Sequence, residues 1–173
     1  MNGAEAVDPI PKNPKVIALA SLEARFKEEP EERAGLVLAN GIFDLLHVGH
    51  VRYLEAARAA GERLVVALNS DESARRLKGA GRPLIPLEER LELVAALACV
   101  DWATWFEEDH VQEVLRRLRP AVHAKGSDYT VESVPERAAA QALGIRTIIA
   151  GDPKRHASSD LIRQIREGRP DAR

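Results

Sequence analysis

The chain has 173 residues, of which 45% are apolar and only 4% aromatic, and its formal net charge is −2. This length suits one domain with a core of aliphatic side chains. The lack of a basic excess argues against a general nucleic-acid or membrane-surface binder. No apolar stretch reaches the roughly 18 residues of a membrane span, and the N-terminus lacks the pattern of a secretion signal. We therefore expect a cytoplasmic protein, with its single cysteine, Cys99, as a buried core thiol.

Apolar periodicity predicts alternating helices and strands after a loose lead-in over residues 1–14. The spacing of Leu19, Leu22 and Phe26 predicts a first helix over 16–26. Five short apolar runs predict strands at 36–40, 63–68, 102–106, 121–125 and 145–149. Further helices are predicted at 48–60, 71–77, 86–98, 110–118, 133–142 and 158–167. This alternation indicates a single α/β domain of Rossmann-like type over 15–167, in which a five-stranded parallel sheet carries helices on both faces, and then a frayed tail over 168–173.

Two glycines mark the junctions between predicted helices and strands. Gly61 and Gly144 each stand between a helix and the next strand, where a left-handed C-cap favours glycine. They fix the order of the alternation. The second, fourth and fifth strands should therefore end on the same edge of the sheet as the loop after the first strand.

The most informative segment, residues 36–50, runs from the first strand into a loop that ends with His47 and His50. Ligands bind at this edge of parallel sheets, and a helix start offers free N–H groups to an anion. Residues three apart share one side of a helix, so both imidazoles can donate to one phosphate. An isolated pair of this kind is more often a solvated helix start. A zinc site of the metalloprotease type would need histidines four apart, and the common glycine-rich phosphate loops are absent.

Residues 40–50, Asn-Gly-Ile-Phe-Asp-Leu-Leu-His-Val-Gly-His, resemble the signature of the nucleotidylyltransferase superfamily. The resemblance implies that a substrate phosphate attacks the α-phosphorus of a nucleoside triphosphate and that pyrophosphate leaves. Positioned donors stabilise the charge in such a transition state, and no general base is needed. The resemblance implies His47, His50 and Lys78 as catalytic residues. It also implies Mg²⁺ accompanying the nucleotide, although no set of protein metal ligands is predicted.

Other candidate site residues follow predicted strands or begin helices. The nucleotide-binding candidates are Asn40, Gly41, Ile42, Phe43, His50, Lys125, Gly126, Asp128, Ser158 and Ser159. The candidates for binding the second substrate are Asp44, Asn69, Arg82, Arg90 and Tyr129. Several have simpler explanations, since Ser70 or Asp71 can cap a helix and Arg90 can form a surface or intrahelical ion pair. Among the remaining histidines, only His156, in a basic loop, is a fair candidate for contacting phosphate.

From residue 15 to residue 166 the chain resembles the bacterial adenylyltransferases that act on D-glycero-D-manno-heptose 1-phosphate. The strings Leu77-Lys-Gly79, Pro86-Leu-Glu-Glu-Arg90 and Lys125-Gly-Ser-Asp-Tyr129 carry this closer resemblance. It implies transfer of AMP from ATP to a sugar 1-phosphate, an ADP-heptose product for surface glycans, and a homodimer. The chain departs from the family pattern at Ser127 and Ala157. Two alternatives stay open: a cytidylyltransferase acting on glycerol 3-phosphate or another small phosphate, and a nucleotide-binding sensor without turnover.

Overall fold

The computed structural model describes residues 13–152 together with Ile162 and Ile165. Within this part of the chain the strands are β1 (Leu36–Gly41), β2 (Arg63–Asn69), β3 (Trp102–Phe106), β4 (Val122–Gly126) and β5 (Arg146–Ala150). The helices are α1 (Leu19–Glu28), α2 (Pro30–Arg33), α3 (Val48–Arg58), α4 (Asp71–Lys78), α5 (Leu87–Ala95), α6 (Gln112–Leu118) and α7 (Arg137–Ala142). A 3₁₀ turn, Val131–Ser133, follows β4. Helices and strands alternate as the apolar periodicity predicts.

The strands form one parallel sheet in the order β3-β2-β1-β4-β5. The chain builds outward from β1 to β3 and then crosses to the other side of β1 to begin β4. The carboxyl ends of β1 and β4 therefore flank the point where the strand order reverses, which is where open α/β sheets bind ligands. The predicted fold class, a single Rossmann-like domain, is confirmed.

Helices cover both faces of the sheet, because successive residues of a strand point to opposite sides. Val37 and Val66 pack with side chains of α3 and α5 on one face. Leu36 and Leu38 pack with side chains of α1, α6 and α7 on the other. Such two-sided burial explains why the strands are continuous apolar runs rather than alternating ones.

The first helix begins later than predicted. Instead of continuing the helix, Val16 forms a parallel bridge with Ala103 of β3. The Ala103 N–H donates to the Lys15 carbonyl at 2.8 Å, and the Ile17 N–H donates to the Ala103 carbonyl at 3.0 Å. The short segment before α1 thus covers the open edge of β3, whose unpaired backbone groups outweigh the helical pattern. The pattern is right further along, since Leu22 and Phe26 are buried.

Gly144 is left-handed as predicted, with φ of 71°, but Gly61 is not among the residues of positive φ. A Cβ atom at Gly61 would lie 2.3 Å from the Gly35 carbonyl oxygen. Close approach of two backbone segments, rather than a left-handed cap, therefore requires this glycine.

Other expectations differ from the structure in detail. The predicted helix 133–142 begins only at Arg137, after the 3₁₀ turn. Cys99 packs against the core but is half-buried rather than fully buried. The predicted helix 158–167 lies outside the described residues, apart from Ile162 and Ile165, which are helical. Among the described residues, no helix combines the length and apolarity that crossing a membrane requires.

Candidate active site

A cavity of about 720 Å³ opens at the carboxyl ends of β1 and β4. Its volume falls within the range of small-molecule binding sites. All predicted site residues that the structure describes line it, except Arg90: Asn40, Gly41, Ile42, Phe43, Asp44, His47, His50, Asn69, Lys78, Arg82, Lys125, Gly126, Asp128 and Tyr129. Ser158, Ser159 and His156 lie outside the described residues. The fold thus brings together residues that are far apart in the sequence, such as Asn40 and Tyr129, which are separated by 89 positions.

The two histidines stack at the start of α3. His47 is the N-cap residue with extended backbone, and its carbonyl accepts from the His50 N–H at 2.9 Å. The imidazole centroids lie 3.9 Å apart and the ring planes differ by 25°. Both rings line the cavity. The pair therefore faces the cavity as one unit, as the spacing of three predicts.

Burial lowers the pKa of the His50 imidazole to about 4, and the neighbouring His47 acts in the same direction. Asp128 partly opposes this effect. His50 is therefore neutral at pH 7 in the absence of a bound anion, and it can donate from one ring nitrogen. A phosphate bound beside it would favour the protonated form.

Phe43 supports the histidine loop from beneath. Its backbone is left-handed, with φ of 51°, an uncommon conformation for a residue with a side chain. Its ring lies 5.2 Å from the His50 ring and 6.4 Å from the Tyr53 ring, centroid to centroid. A Cβ atom at Gly41 would come within 3.1 Å of the Phe43 ring. Gly41 therefore lets the Phe43 ring fold under the loop and pack against His50.

Asp44 organises the loop that follows α4. Its buried carboxylate accepts the N–H groups of Leu84 and Ile85 at 2.7 and 2.9 Å. It also pairs with the Arg82 Nε at 2.5 Å. Asp44 therefore holds the Arg82 guanidinium at the rim of the cavity, which leaves Asp44 itself little capacity to bind a substrate.

Arg90 lies fully buried behind the cavity. Its guanidinium donates to the carbonyls of Ile42, Ile85 and Asn69 at 2.5, 3.0 and 3.0 Å, and to Asp71 Oδ1 at 2.6 Å. The alternative of a surface ion pair is wrong, since none of the Arg90 side chain is exposed. Arg90 ties three loops together, so we assign it a positioning role rather than contact with a substrate.

The end of β2 and the start of α4 are fixed by a local network. Ser70 caps α4 by accepting the Ser73 N–H at 3.2 Å, as expected. Asn69 donates to Ser73 Oγ at 2.9 Å, and this hydroxyl donates to the Glu108 carbonyl at 2.8 Å. At the other end of α4, the exposed Lys78 reaches the rim of the cavity.

Lys125 is a buried ammonium at the end of β4, with 7% of the residue exposed. Its Nζ lies 3.3 Å from Asn40 Oδ1, 3.6 Å from Glu136 Oε2 and 4.8 Å from the centroid of the Tyr129 ring. Burial lowers the pKa of Lys125, and Glu136 opposes that effect. The ammonium therefore depends on its neighbours for its charge and its position.

His123 completes this network beneath the cavity. Its Nε2 lies 3.1 Å from Asn40 Oδ1, which also accepts from Lys125. An amide oxygen only accepts hydrogen bonds, so Nε2 carries the proton that His123 donates. Burial and, to a smaller extent, the Lys125 charge lower the pKa of His123 to about 4, and Glu136 partly opposes this effect.

Sequence reasoning missed several residues of the cavity wall, including Glu136, His110 and Arg52. Glu136 is only 2% exposed and stands directly before α7. His110 Nδ1 lies 3.7 Å from Glu136 Oε1. No local motif marks Glu136, and only the packing of α6 beside α7 brings His110 to it.

Known proteins resemble this chain in sequence and in fold. The sequence profile of the cytidylyltransferase-like family matches residues 38–165. A D-beta-D-heptose 1-phosphate adenylyltransferase from Bordetella bronchiseptica is 46% identical, and the match covers 77% of this chain and 83% of that protein. The bifunctional protein HldE from Geotalea uraniireducens is 45% identical over 89% of this chain, which spans only 31% of that longer protein.

A lipopolysaccharide core biosynthesis protein from Thermoplasma volcanium GSS1 has a similar solved structure, with a TM-score of 0.61. The two are 24% identical, over 70% of this chain and 99% of that one, so this likeness supports the fold alone. In the part of the chain that the structure describes, no cluster of three or more His, Cys, Asp or Glu side chains is arranged to hold a metal ion. The family profile covers most of the chain, including the histidine loop, and the predicted superfamily is confirmed: the protein belongs to the cytidylyltransferase-like family.

Proposed function

We propose that the protein is a nucleotidylyltransferase that transfers AMP from ATP to heptose 1-phosphate and releases pyrophosphate. The stacked pair of His47 and His50 inside the cavity is the observation that carries this proposal. The name of the Bordetella bronchiseptica relative, which is 46% identical, supports the choice of ATP and of heptose 1-phosphate. The product would be ADP-heptose, a precursor for surface glycans.

In the proposed reaction an oxygen of the sugar phosphate attacks the α-phosphorus of ATP. The new P–O bond forms as the bond from the α-phosphorus to the oxygen that bridges to the β-phosphorus breaks, and that oxygen leaves with the electron pair. The attacking phosphate is already anionic, so no side chain has to remove a proton. The enzyme's task is to position the reactants and to stabilise negative charge.

His47 and His50 would donate to the phosphate oxygens from the start of α3, where backbone N–H groups also favour an anion. Lys78 and Lys125 would neutralise phosphate charge, with Lys125 fixed between Asn40 and Glu136. Ser158 and Ser159 remain our candidates for holding the outgoing pyrophosphate.

The remaining roles concern the second substrate and the metal. Arg82, fixed by Asp44, is suited to the phosphate of the acceptor. A Mg²⁺ ion bound by the triphosphate oxygens would neutralise part of their charge. Asp128, which lines the cavity, is the carboxylate we expect nearest to that ion or to the ribose. We retain residues 15–167 as the proposed extent of the catalytic domain, and a homodimer as a proposal that sedimentation equilibrium can test.

Pyrophosphate release tests the proposal when ATP, CTP, GTP and UTP are each paired with heptose 1-phosphate and with glycerol 3-phosphate. We expect release only with ATP and heptose 1-phosphate. Release only with CTP and glycerol 3-phosphate would replace the proposal with the cytidylyltransferase alternative. Tight nucleotide binding without release from any pair would identify a sensor.

A further inference from the structure

Glu136 is a buried carboxylate in the wall of the cavity. It is not one of the residues that we propose to contact phosphate. Only 2% of the residue is exposed. Its Oε2 is inaccessible to solvent and, within the described part of the chain, has no hydrogen-bond partner. The nearest basic groups, Lys125 Nζ at 3.6 Å and His110 Nδ1 at 3.7 Å, lie beyond good hydrogen-bond distance.

Three other carboxylates that line the cavity, Asp44, Asp109 and Asp152, are already engaged. Asp44 accepts two backbone N–H groups and pairs with Arg82. Asp109 pairs with Arg76, and Asp152 with Arg52. Glu136 therefore differs from them, because it combines deep burial with unused capacity to accept hydrogen bonds.

The chemistry of this carboxylate determines what can occupy the space beside it. A phosphate oxygen is also an acceptor and carries the same charge, so it would be repelled. A neutral partner therefore has to bring O–H or N–H donors to the point of contact. In a cavity that takes a nucleotide and a sugar phosphate, the sugar hydroxyl groups fit this requirement.

We propose that Glu136 binds hydroxyl groups of a sugar ring, with His110 forming the outer side of this hydroxyl subsite. The proposal rests on the proposed function, because it assumes a sugar-containing ligand. Two sources carry the same chemistry: the ribose of the nucleotide and the sugar of the acceptor. The subsite would divide the cavity into a phosphate side at His47 and His50 and a hydroxyl side at Glu136.

Equilibrium binding measured by calorimetry tests this proposal without requiring turnover. The ligands are ATP with 2′-deoxy-ATP and 3′-deoxy-ATP, and heptose 1-phosphate with its singly deoxygenated analogues. Each is titrated into the wild type, Glu136→Gln and Glu136→Ala. Glu132→Gln is the matched control, because Glu132 is an exposed acid of the same segment. Pyrophosphate release by the wild type is measured separately, so failure of the proposed function would be seen there.

We expect the wild type to bind one parent ligand at least about tenfold more tightly than one of its deoxy analogues. In both Glu136 variants this preference should disappear, while Glu132→Gln keeps it. Loss of preference within the ATP series would identify the ribose as the source, and loss within the heptose series would identify the acceptor. Equal binding of all parents and analogues by the wild type would overturn the proposal. The proposal would also be overturned if the Glu136 variants bound parents and analogues more weakly by the same factor. That result would indicate that Glu136 acts only through Lys125.

Discussion

The two walls of the cavity are built in different ways. The histidine wall, formed by the loop after β1 and the start of α3, is local: Gly41, Phe43, His47 and His50 lie within ten residues and support one another by ring packing. The lysine wall, formed at the end of β4 and before α7, joins His123, Lys125 and Glu136 to Asn40 of β1 through polar contacts. The histidine wall lies within one continuous motif of the sequence, whereas the lysine wall is assembled from separate segments and its Glu136 belongs to no motif.

The largest expected effect lies in the histidine wall. If His50 donates to charge that develops in the transition state, His50→Ala should lower kcat by about two to three powers of ten. The thermal midpoint should change little, because the ring packs at the cavity rather than in the core. Steady-state kinetics with ATP and heptose 1-phosphate measure the effect, with the exposed Arg116→Ala as control. A kcat within threefold of the wild type would show that the histidine wall does not contribute to catalysis through His50.

Substitution of Arg90 tests whether the loops around the cavity depend on its buried hydrogen bonds. Arg90→Met removes four hydrogen bonds and leaves Asp71 and three carbonyls without that donor. Breaking a buried charge pair in this way should lower the free energy of unfolding by about 3 kcal/mol. Urea denaturation measures the change. Arg116→Met, at an exposed position, should remain within about 0.5 kcal/mol of the wild type.

One histidine in each wall should make folding stability depend on pH. His50 and His123 have pKa values of about 4 in the folded protein, below the usual 6.5. The unfolded chain therefore binds more protons between these values, and stability falls as pH drops from 6.5 to 4. Each histidine should contribute about 3 kcal/mol to this loss. The contribution of His123 is isolated by measuring, across this pH range, the difference in thermal midpoint between the wild type and His123→Gln. If that difference did not change with pH, it would contradict the burial of His123 as a neutral group.

Tyr53 joins the two walls and gives the smallest expected effect. Its hydroxyl donates to the Ala124 carbonyl of β4 at 2.8 Å from helix α3. Tyr53→Phe should lower the free energy of unfolding by about 1 kcal/mol. It should also raise KM more than it lowers kcat, because the walls would be less firmly held together. Urea denaturation and kinetics on the same preparation check both expectations, and an unchanged KM would indicate that the walls are positioned independently.

This contrast explains how much of the site the sequence could predict. Strands, helices and the histidine loop could be predicted because each depends on residues that are close in sequence. Glu136 and His110 could not, since their proximity requires α6 and α7 to pack on one face of the sheet. The sequence indicates Arg90 as a candidate site residue. Its burial could not be predicted, because its partners come from three separate loops. The sequence likewise places Gly61 between a helix and a strand, but the left-handed cap predicted there is wrong, and the contact with Gly35 that requires glycine depends on tertiary packing.

In the proposed site the His50 ring contacts the phosphates of a bound nucleotide. NMR titration of the imidazole signals, with and without α,β-methylene-ATP, tests it most directly, and the signal missing in His50→Gln assigns the resonance. The free protein should titrate with a pKa of about 4 for His50. Binding of the analogue should raise this pKa, because phosphate charge favours the protonated ring. An unchanged His50 pKa in the saturated complex would contradict the account.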